Sequence, residues 1–389
     1  MHDIDRFRSD TPSCSKLIHF NNAGCALSPE LVTKATIDHL LLEQEVGGYE
    51  AAVISNVDIL TFYSGLATLL NCEAQDIAFV ENASRAWQLA LYSIPWQRGD
   101  QIITADNEYV SNFLGLLHLQ HQKGVEVILT PCLANGLVDL EKLEQAISPK
   151  TKLIALTHIA SQRGDIQPAA AVGKLAKAYN VMYLLDACQS AGQLLLDVQA
   201  LGCDFLCGTG RKYLRGPRGT GFLFASAAAR KVTEPVFVDN HSALWQRRNS
   251  YSIQETALRF ETWERNIAGK IGLAKAVAYA NEIGIENIEL AVRSLGEELS
   301  SKLAELKGLT VFEQSAARSG IVTFQKQGLE ANDLANQLRS AQINTSVSKA
   351  QNAQLDLAKN NIGDVNRASI HYYNTSAEID RFVEAVDGL

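Results

Sequence analysis

Between residues 76 and 226, short apolar runs alternate with helix-length amphipathic stretches, and this alternation constrains the fold more than any other feature. The runs are nearly all apolar and lie at 77–80, 101–104, 125–129, 153–156, 181–185, 205–207 and 221–224. Strands of this composition separated by helices are typical of a mostly parallel sheet with helices on both faces. The sequence therefore predicts an α/β fold built on a mostly parallel seven-stranded sheet.

The pattern changes after about residue 266, where helical periodicity dominates. We expect helices at 268–282, 288–306, 331–342 and 376–386, with short segments at 309–312, 321–324 and 367–372. This pattern predicts a smaller α+β domain at the C-terminus. We assign residues 21–275 to the large domain and 276–389 to the small one, with 1–20 as a joining segment.

Composition excludes several classes of protein. The 389-residue chain has a net charge of −8 and no Lys/Arg-rich block, so we expect no nucleic-acid partner. No apolar run reaches the roughly 18–20 residues that cross a bilayer, and residues 1–8 lack the apolar core of a secretory signal. The seven cysteines are scattered without CxxC spacing, which argues against a zinc site or a disulfide framework. We expect a reduced, cytoplasmic protein without a metal centre.

Residues suited to catalysis follow two neighbouring runs, at the strand ends where such sheets bind ligands. The run 181–185 ends in Asp186-Ala187-Cys188-Gln189, and a carboxylate placed there either caps a helix or needs a cationic partner. The segment 208–221 holds five glycines, three arginines and Lys212, a composition that suits an anionic ligand. Lys212 follows Asp186 by 26 positions, room for one helix and one strand, so both can face one crevice. Cationic neighbours lower the pKa of a lysine and make it a competent nucleophile.

Two other strand ends carry polar residues. Asn82 or Ser84 can cap the helix after 77–80, and the free N–H groups at a helix start can bind phosphate. The polar stretch 157–164 follows the run 153–156. Each segment alone is equally compatible with an ordinary cap or loop.

Together these segments resemble the class V aminotransferase family, the fold-type I pyridoxal-phosphate (PLP) enzymes that include the cysteine desulfurases. The resemblance extends from Phe20-Asn21-Asn22-Ala23-Gly24 to Ile379-Asp380-Arg381-Phe382. Its most specific element is Asp-x-x-Gln at 186–189, followed by Gly-Arg-Lys-Tyr-Leu-x-Gly-Pro-x-Gly-x-Gly at 210–221. It implies a PLP cofactor and an amino-acid substrate.

The resemblance also implies a role for each matching residue. Lys212 carries the cofactor as a Schiff base and moves the proton, Asp186 pairs with the ring nitrogen, and Gln189 lies beside the phenolic oxygen. The other implied contacts are with the phosphate, the ring and the substrate, from Ala83, Ser84, Thr209, Arg211, Tyr109, Ser161, Asn22 and Arg367. Arg211, Tyr109 and Ser161 replace the family's usual His, His and Asn. Glu264 lies in a stretch that family dimers lend to the partner's phosphate site, which implies a homodimer.

The reaction is inferred from an absence. Desulfurases need a mobile cysteine before the carboxylate-binding arginine, here Arg367, but 208–389 contains no cysteine. Cys25 is the thiol nearest the expected substrate entrance, and Cys188, Cys203 and Cys207 are interpreted as small core residues. We therefore expect a C–S lyase that eliminates at the β-carbon of a cysteine-type substrate, giving pyruvate and ammonia.

Other reactions stay open. An aminotransferase is one alternative, and an epimerase using Tyr109 or His158 as the second proton donor is another. A cysteine desulfurase is disfavoured. A non-catalytic PLP-fold regulator is also disfavoured, because Lys212 and Asp186 are both present.

Overall fold

A computed structural model describes residues 3–389 of the chain. The part before the central sheet is helical apart from one short strand. Its elements are helices α1 (Ile4–Ser9), α2 (Asn22–Cys25), α3 (Glu30–Val46), α4 (Gly48–Ile54) and α5 (Asn56–Leu70), and strand β1 (Ile18–His19).

Seven strands form the central sheet. They are β2 (Ile77–Val80), β3 (Gln101–Ala105), β4 (Glu126–Thr130), β5 (Thr151–Thr157), β6 (Met182–Asp186), β7 (Phe205–Thr209) and β8 (Gly221–Ala225). Their order is β2-β8-β7-β6-β5-β3-β4, and β8 is antiparallel to both of its neighbours. This arrangement confirms the predicted mostly parallel seven-stranded sheet.

Helices cover both faces of the sheet. Those between and after its strands are α6 (Ala83–Ser93), α7 (Val110–Lys123), α8 (Leu140–Ala146), α9 (Ala169–Ala178), α10 (Val198–Leu201) and α11 (Ala227–Val232). Along β5, Leu153 and Ala155 pack into one hydrophobic core, while Ile154 and Leu156 pack into another. Alternate side chains of a strand point to opposite faces, so a strand covered on both sides is apolar throughout. This explains why the sequence pattern was readable.

A hairpin and a long helix follow the sheet. The hairpin consists of β9 (Ala243–Arg247) and β10 (Ser250–Ile253), and helix α12 spans Ile267–Ile283. Helix α12 packs against α3 and α5 of the large domain. The boundary expected between 275 and 276 falls inside α12, and the chain turns at Gly284, which has a left-handed φ of 86°.

The remaining elements form a smaller α+β unit, as predicted. They are α13 (Ile285–Ala304), β11 (Leu309–Val311), β12 (Ile321–Lys326), α14 (Ala331–Ser340), β13 (Ile343–Asn344), β14 (Ser346–Ser348), β15 (Val365–Ser369) and α15 (Ser376–Asp387). Four of the strands form an antiparallel sheet in the order β11-β12-β15-β14. Strand β1 pairs with β13, so the N-terminal segment is attached to this unit.

Within residues 3–389, no single helix has the length and apolar character needed to cross a bilayer. Helices α4 and α5 meet that requirement only as a pair, and the pair is bent by 63°.

Candidate active site

A cavity of about 210 Å³ lies at the carboxyl ends of the central strands. Most of the residues expected at the site line it. The lining residues are Asn82, Ala83, Ser84, Tyr109, Thr157, Ile159, Ser161, Asp186, Cys188, Gln189, Thr209, Arg211 and Lys212. The cavity therefore lies where ligands are expected in such sheets, at the carboxyl ends of the strands.

Asp186, the last residue of β6, is 4% exposed. Its Oδ1 accepts a hydrogen bond from the backbone N–H of Cys188 at 2.8 Å, and its Oδ2 accepts one from Asn112 Nδ2 at 2.7 Å. Each carboxylate oxygen accepts one of these hydrogen bonds and has two lone pairs, so each keeps a lone pair for a further donor. The carboxylate can therefore accept a hydrogen bond from a ligand in the cavity.

Gln189 lies in the same loop and is 3% exposed. Its Nε2 donates to the carbonyl oxygen of Ala23 at 3.2 Å, whereas its Oε1 is buried without a hydrogen-bond partner. A buried amide oxygen without a donor costs about 1–3 kcal/mol. The cavity therefore provides a place for a ligand group that donates to Gln189.

Lys212 follows β7 and is 7% exposed. Burial lowers the pKa of its amine below the ordinary value, and the charge of Arg211 lowers it further, partly offset by Cys188 and Asp186. Its Nζ lies 6.0 Å from the centre of the Tyr109 ring. A lysine with a lowered pKa is more often neutral, and it can act as a nucleophile or as a base.

One end of the cavity suits an anion. Asn82 Oδ1 accepts from the backbone N–H of Arg85 and so caps α6, whose first N–H groups have no acceptor within the helix. Ala83 and Ser84 line the cavity at this helix start. Thr209 and Arg211 also line the cavity. The Thr209 hydroxyl donates to the carbonyl oxygen of Thr220 at 3.3 Å and Arg211 Nη1 donates to that of Gly24, so the other guanidinium N–H groups of Arg211 can join the helix N-terminus as donors.

Only one of the three arginines in 208–221 lines the cavity. Arg215 is buried, with Nε donating to the carbonyl oxygen of Leu27 and Nη1 donating to Tyr372 Oη. Arg218 is exposed. Of these three arginines, Arg211 is therefore the one that can supply a guanidinium to an anion in the cavity.

Arg367, on β15, comes from the small domain and is 8% exposed. Its Nη1 donates to the carbonyl oxygen of Ser161 at 2.9 Å, while its Nε is buried without a partner. Burial lowers its pKa to about 10. The guanidinium is thus fixed to the cavity wall at one nitrogen and keeps donors for a carboxylate.

The junction between the domains brings Arg367 and Ser161 together. The backbone N–H of Ser319 donates to the carbonyl oxygen of Gly164 at 2.9 Å, and Ile166 N–H donates to Ala317 at 2.9 Å. A Cβ at Gly164 would overlap the carbonyl oxygen of Ile321, so only glycine permits this approach.

Four expected residues are not among those that line the cavity: Arg367, which reaches it through Ser161, and Asn22, Glu264 and His158. Asn22 is fully buried, where it donates to the carbonyl oxygens of His19 and Ser369 and accepts from the Tyr373 hydroxyl. Asn22 is not among the residues that line the cavity, and its contact with a substrate stays a prediction. Glu264 is exposed on the surface. His158 contacts Ser190 Oγ through Nδ1, and burial lowers its pKa to about 4.

Sequence reasoning missed several residues at the site. Cys188 was interpreted as a core residue, but it lines the cavity beside Asp186, and burial raises its pKa well above the ordinary thiol value. Its position between Asp186 and Gln189 was the available signal. Asn112 donates to both Glu108 and Asp186, so these two residues contact the site on the side of Asp186 away from the cavity. Both are polar residues near Tyr109 that follow β3, and this position at a strand end was the available signal.

Comparison with known proteins identifies relatives over nearly the whole chain. The family model described as aminotransferase class-V matches residues 18–382. A probable cysteine desulfurase of Methanothermobacter thermautotrophicus is 29% identical, covering 98% of this chain and 96% of that protein. A probable cysteine desulfurase of Xylella fastidiosa is also 29% identical, over 99% of this chain and 95% of that protein. These matches confirm the family inferred from the lysine and aspartate segments.

Solved structures agree in fold. The apo cysteine desulfurase of Thermococcus onnurineus has a TM-score of 0.92 and 26% identity, covering 99% of this chain and 97% of that one. A cystine C–S lyase, C-DES, in complex with cysteine persulfide has a TM-score of 0.88 over 97% of this chain and 99% of that one. Its identity is 23%, so it supports the fold alone. A lysine-to-alanine mutant of the same lyase carries glycine covalently linked to PLP.

Proposed function

The chain belongs to the aminotransferase class-V family and is a PLP-dependent enzyme, and we propose that it cleaves a carbon–sulfur bond by β-elimination. The proposed substrate is a cysteine-type amino acid, R–S–CH₂–CH(NH₃⁺)–COO⁻. With one water it gives a thiol or persulfide, pyruvate and ammonium. No persulfide forms on the protein. The observation that carries the proposal is that a competent lysine site is paired with a small domain that has no cysteine.

The cavity fits PLP. Asp186 keeps free lone pairs for the ring nitrogen, and Gln189 Oε1 lacks a donor that a hydroxyl group of the cofactor could supply. Ala83, Ser84, Thr209 and Arg211 are the residues that would hold the phosphate, and Tyr109 would lie against the ring. When bound, PLP supplies an electron sink for the charge left on the substrate's α-carbon. Lys212 is the residue that would hold it covalently.

The chain's own residues account for substrate binding and proton movement. Arg367 binds the α-carboxylate through the guanidinium donors that Ser161 leaves free. The Lys212 amine, whose pKa burial lowers, takes the α-proton and delivers it to the departing sulfur. Tyr109 and Ile159 occupy the wall of the same cavity and help to exclude water from the reacting atoms.

The small domain supplies no thiol to receive sulfur. The segment 349–364, which we call the strap, precedes Arg367 and connects β14 to β15. It contains no cysteine, and it is held on the large domain by ion pairs of Asp356 with Arg163 at 3.5 Å and of Lys359 with Asp106 at 2.8 Å. In a desulfurase a mobile cysteine would come from this part of the chain, so the strap favours release of sulfur into solution.

A cysteine desulfurase is the second candidate, because the relatives carry that name. The acceptor would then be Cys188, the thiol that lines the cavity. Burial raises its pKa, so it is present mainly as the thiol, which is a poor nucleophile.

We also propose that the enzyme is a homodimer in which Glu264 approaches the partner's cavity. Large apolar side chains are exposed on α3–α5 and on the β9–β10 hairpin, including Val53 at 77% and Trp245 at 77%. Such exposure is typical of an interaction surface. Light scattering should give about twice the 42.5 kDa chain mass, and a monomer at micromolar concentration would contradict the proposal.

One incubation separates the reactions. The PLP-loaded enzyme is supplied with cystine or a cysteine conjugate, without any oxo acid, and pyruvate, released sulfur and cofactor form are measured. Repeated release of pyruvate with an equal amount of thiol or persulfide supports the lyase. One equivalent of pyridoxamine form without further pyruvate identifies an aminotransferase, and a racemised amino acid identifies an epimerase. The same incubation with cysteine as the substrate tests for a desulfurase, which would give alanine together with a persulfide on the protein, absent in Cys188→Ala.

A further inference from the structure

Glu108 is a buried carboxyl that the proposed reaction does not use. It lies just after β3 and is 4% exposed. Its Oε1 accepts from the backbone N–H of Tyr109 at 2.7 Å, from Asn112 Nδ2 at 2.9 Å and from the Thr157 hydroxyl, and its Oε2 accepts from Thr104 Oγ1 at 2.9 Å. Four neutral donors thus converge on one side chain. A carboxyl so completely surrounded has a fixed orientation.

Asn112 connects Glu108 to Asp186. Its Nδ2 donates to Glu108 Oε1 at 2.9 Å and to Asp186 Oδ2 at 2.7 Å. An amide nitrogen carries two hydrogens, so each carboxyl receives one. If the amide were flipped, its oxygen would face two acceptors in a site where Asn112 is 2% exposed. Glu108 therefore determines which way the amide of Asn112 points.

We propose that Asn112 and Glu108 are positioning residues that hold the Asp186 carboxylate in the orientation needed to bind the cofactor ring. The proposal rests on the role assigned above to Asp186, and it does not depend on which bond the enzyme breaks. Asn112 occupies one lone pair of Oδ2, and Cys188 N–H occupies one of Oδ1. The carboxylate is held at both oxygens and cannot rotate away from the cavity.

The charged and titratable groups around this pair lie on several elements. Asp186 and Cys207 face Glu108 from β6 and β7, and Lys212, Cys188 and Arg211 surround the Asp186 side. Burial raises the pKa of Glu108, and the charge of Asp186 raises it further. Oε1 accepts from Asn112 in either protonation state, so the positioning role does not require Glu108 to be charged.

The test uses cofactor binding without substrate. PLP is titrated into apo-protein, and the dissociation constant is measured together with the pH at which the visible band of the bound cofactor titrates. Asn112→Ala should weaken PLP binding about tenfold, which is the lower end of the loss seen at metal sites when a residue that orients a ligand is removed. In Asn112→Ala, the visible band of the bound cofactor should titrate at a pH closer to that measured for Asp186→Ala. Glu108→Gln should stay within about twofold of wild type, because its amide oxygen can still accept from Asn112, while its amide nitrogen replaces Oε2 and donates to Thr104 Oγ1.

A double-mutant cycle tests whether Asn112 acts through Asp186. In the Asp186→Ala background, Asn112→Ala should cause no further loss of PLP affinity. Glu313→Ala is the matched control. Glu313 is an equally buried carboxyl that accepts from Gly164 and Thr323 outside the cavity, and its removal should leave PLP affinity unchanged. If Asn112→Ala does not fold, Thr104→Val replaces it. This change removes the hydroxyl that donates to Glu108 Oε2, and it should weaken PLP binding about two- to threefold.

Two results would overturn the proposal. One is that Asn112→Ala binds PLP and titrates like wild type while Asp186→Ala binds PLP more weakly. The other is that Asn112→Ala lowers PLP affinity equally in the wild-type and in the Asp186→Ala protein. If Asp186→Ala itself binds and titrates like wild type, the role assigned to Asp186 fails instead, so the two failures are distinguishable.

Discussion

Replacement of Arg367 by lysine tests the substrate clamp. Arg367 is buried, and one nitrogen donates to the Ser161 carbonyl at 2.9 Å, which leaves the other donors for a substrate carboxylate. Lysine keeps a positive charge but has one nitrogen, so it cannot hold the Ser161 carbonyl and both carboxylate oxygens in the planar arrangement of a guanidinium. We expect the Arg367→Lys enzyme to fold and to bind PLP, because Arg367 is not among the residues that line the cavity.

The size of the effect follows from two losses. Losing one hydrogen bond to a charged group costs about 1.5–3 kcal/mol, which lowers kcat/KM about 10- to 150-fold. Burial also lowers the pKa of Arg367 from 12.5 to about 10. Burial would also lower the pKa of a lysine at this position below its ordinary value of about 10.4. The new lysine therefore loses its charge at a lower pH than the arginine does.

The assay is kcat/KM for a cysteine conjugate between about pH 6.5 and 9.5. The Arg367→Lys profile should fall on its alkaline side at a pH below that of any such fall in wild type, because only the protonated lysine binds the carboxylate. Arg318→Lys is the matched control, since Arg318 bonds to Ser315 and Ser300 within the small domain. A kcat/KM within twofold of wild type and an unchanged pH profile would refute the clamp.

Three further outcomes are expected. Lys212→Ala should lose turnover and the absorption band of the lysine-linked cofactor, and an unchanged spectrum would remove Lys212 from its role. Asp186→Ala should slow exchange of the substrate α-proton with solvent deuterium, measured by NMR, and exchange at the wild-type rate would contradict the role of Asp186. Burial raises the pKa of Glu313 from 4.5 to about 7, so this group destabilises the fold as pH rises from about 4.5 to 7, by up to about 3 kcal/mol. Glu313→Gln should remove that part of the pH dependence in urea unfolding, and identical dependence in both proteins would show that Glu313 is not its source.

The sequence predicted the central sheet because each strand is covered on both sides. Alternating residues such as Leu153 and Ile154 enter different cores, which makes the whole run apolar and therefore visible without a structure. Asp186 and Lys212 were found for a related reason. Both stand at the carboxyl ends of such runs, and the topology of a parallel sheet brings those ends together.

Residues whose partners are distant in sequence were not predictable. Asn22 has a side chain that can bind a substrate, but its amide forms hydrogen bonds with Ser369 and Tyr373, about 350 positions away in the sequence. Arg215 and Arg211 stand four residues apart in one basic segment. Arg215 has a left-handed φ of 62°, and its side chain forms hydrogen bonds with Leu27 and Tyr372, away from the cavity. Spacing alone does not show which member of such a pair faces a ligand.

The position of the small domain controls the substrate end of the cavity. The Ser161 carbonyl accepts from Arg367 Nη1 at 2.9 Å and from Ser348 Oγ at 3.3 Å, so the clamp and the residue that precedes the strap share one acceptor on the large domain. Two residues further on, Arg163 pairs with buried Asp356 of the strap. Any movement of the strap must therefore disturb the wall that orients Arg367. A desulfurase needs mobility in this segment, whereas a lyase that releases its sulfur product to solution gains from a fixed clamp, and the contacts of this chain suit the second requirement.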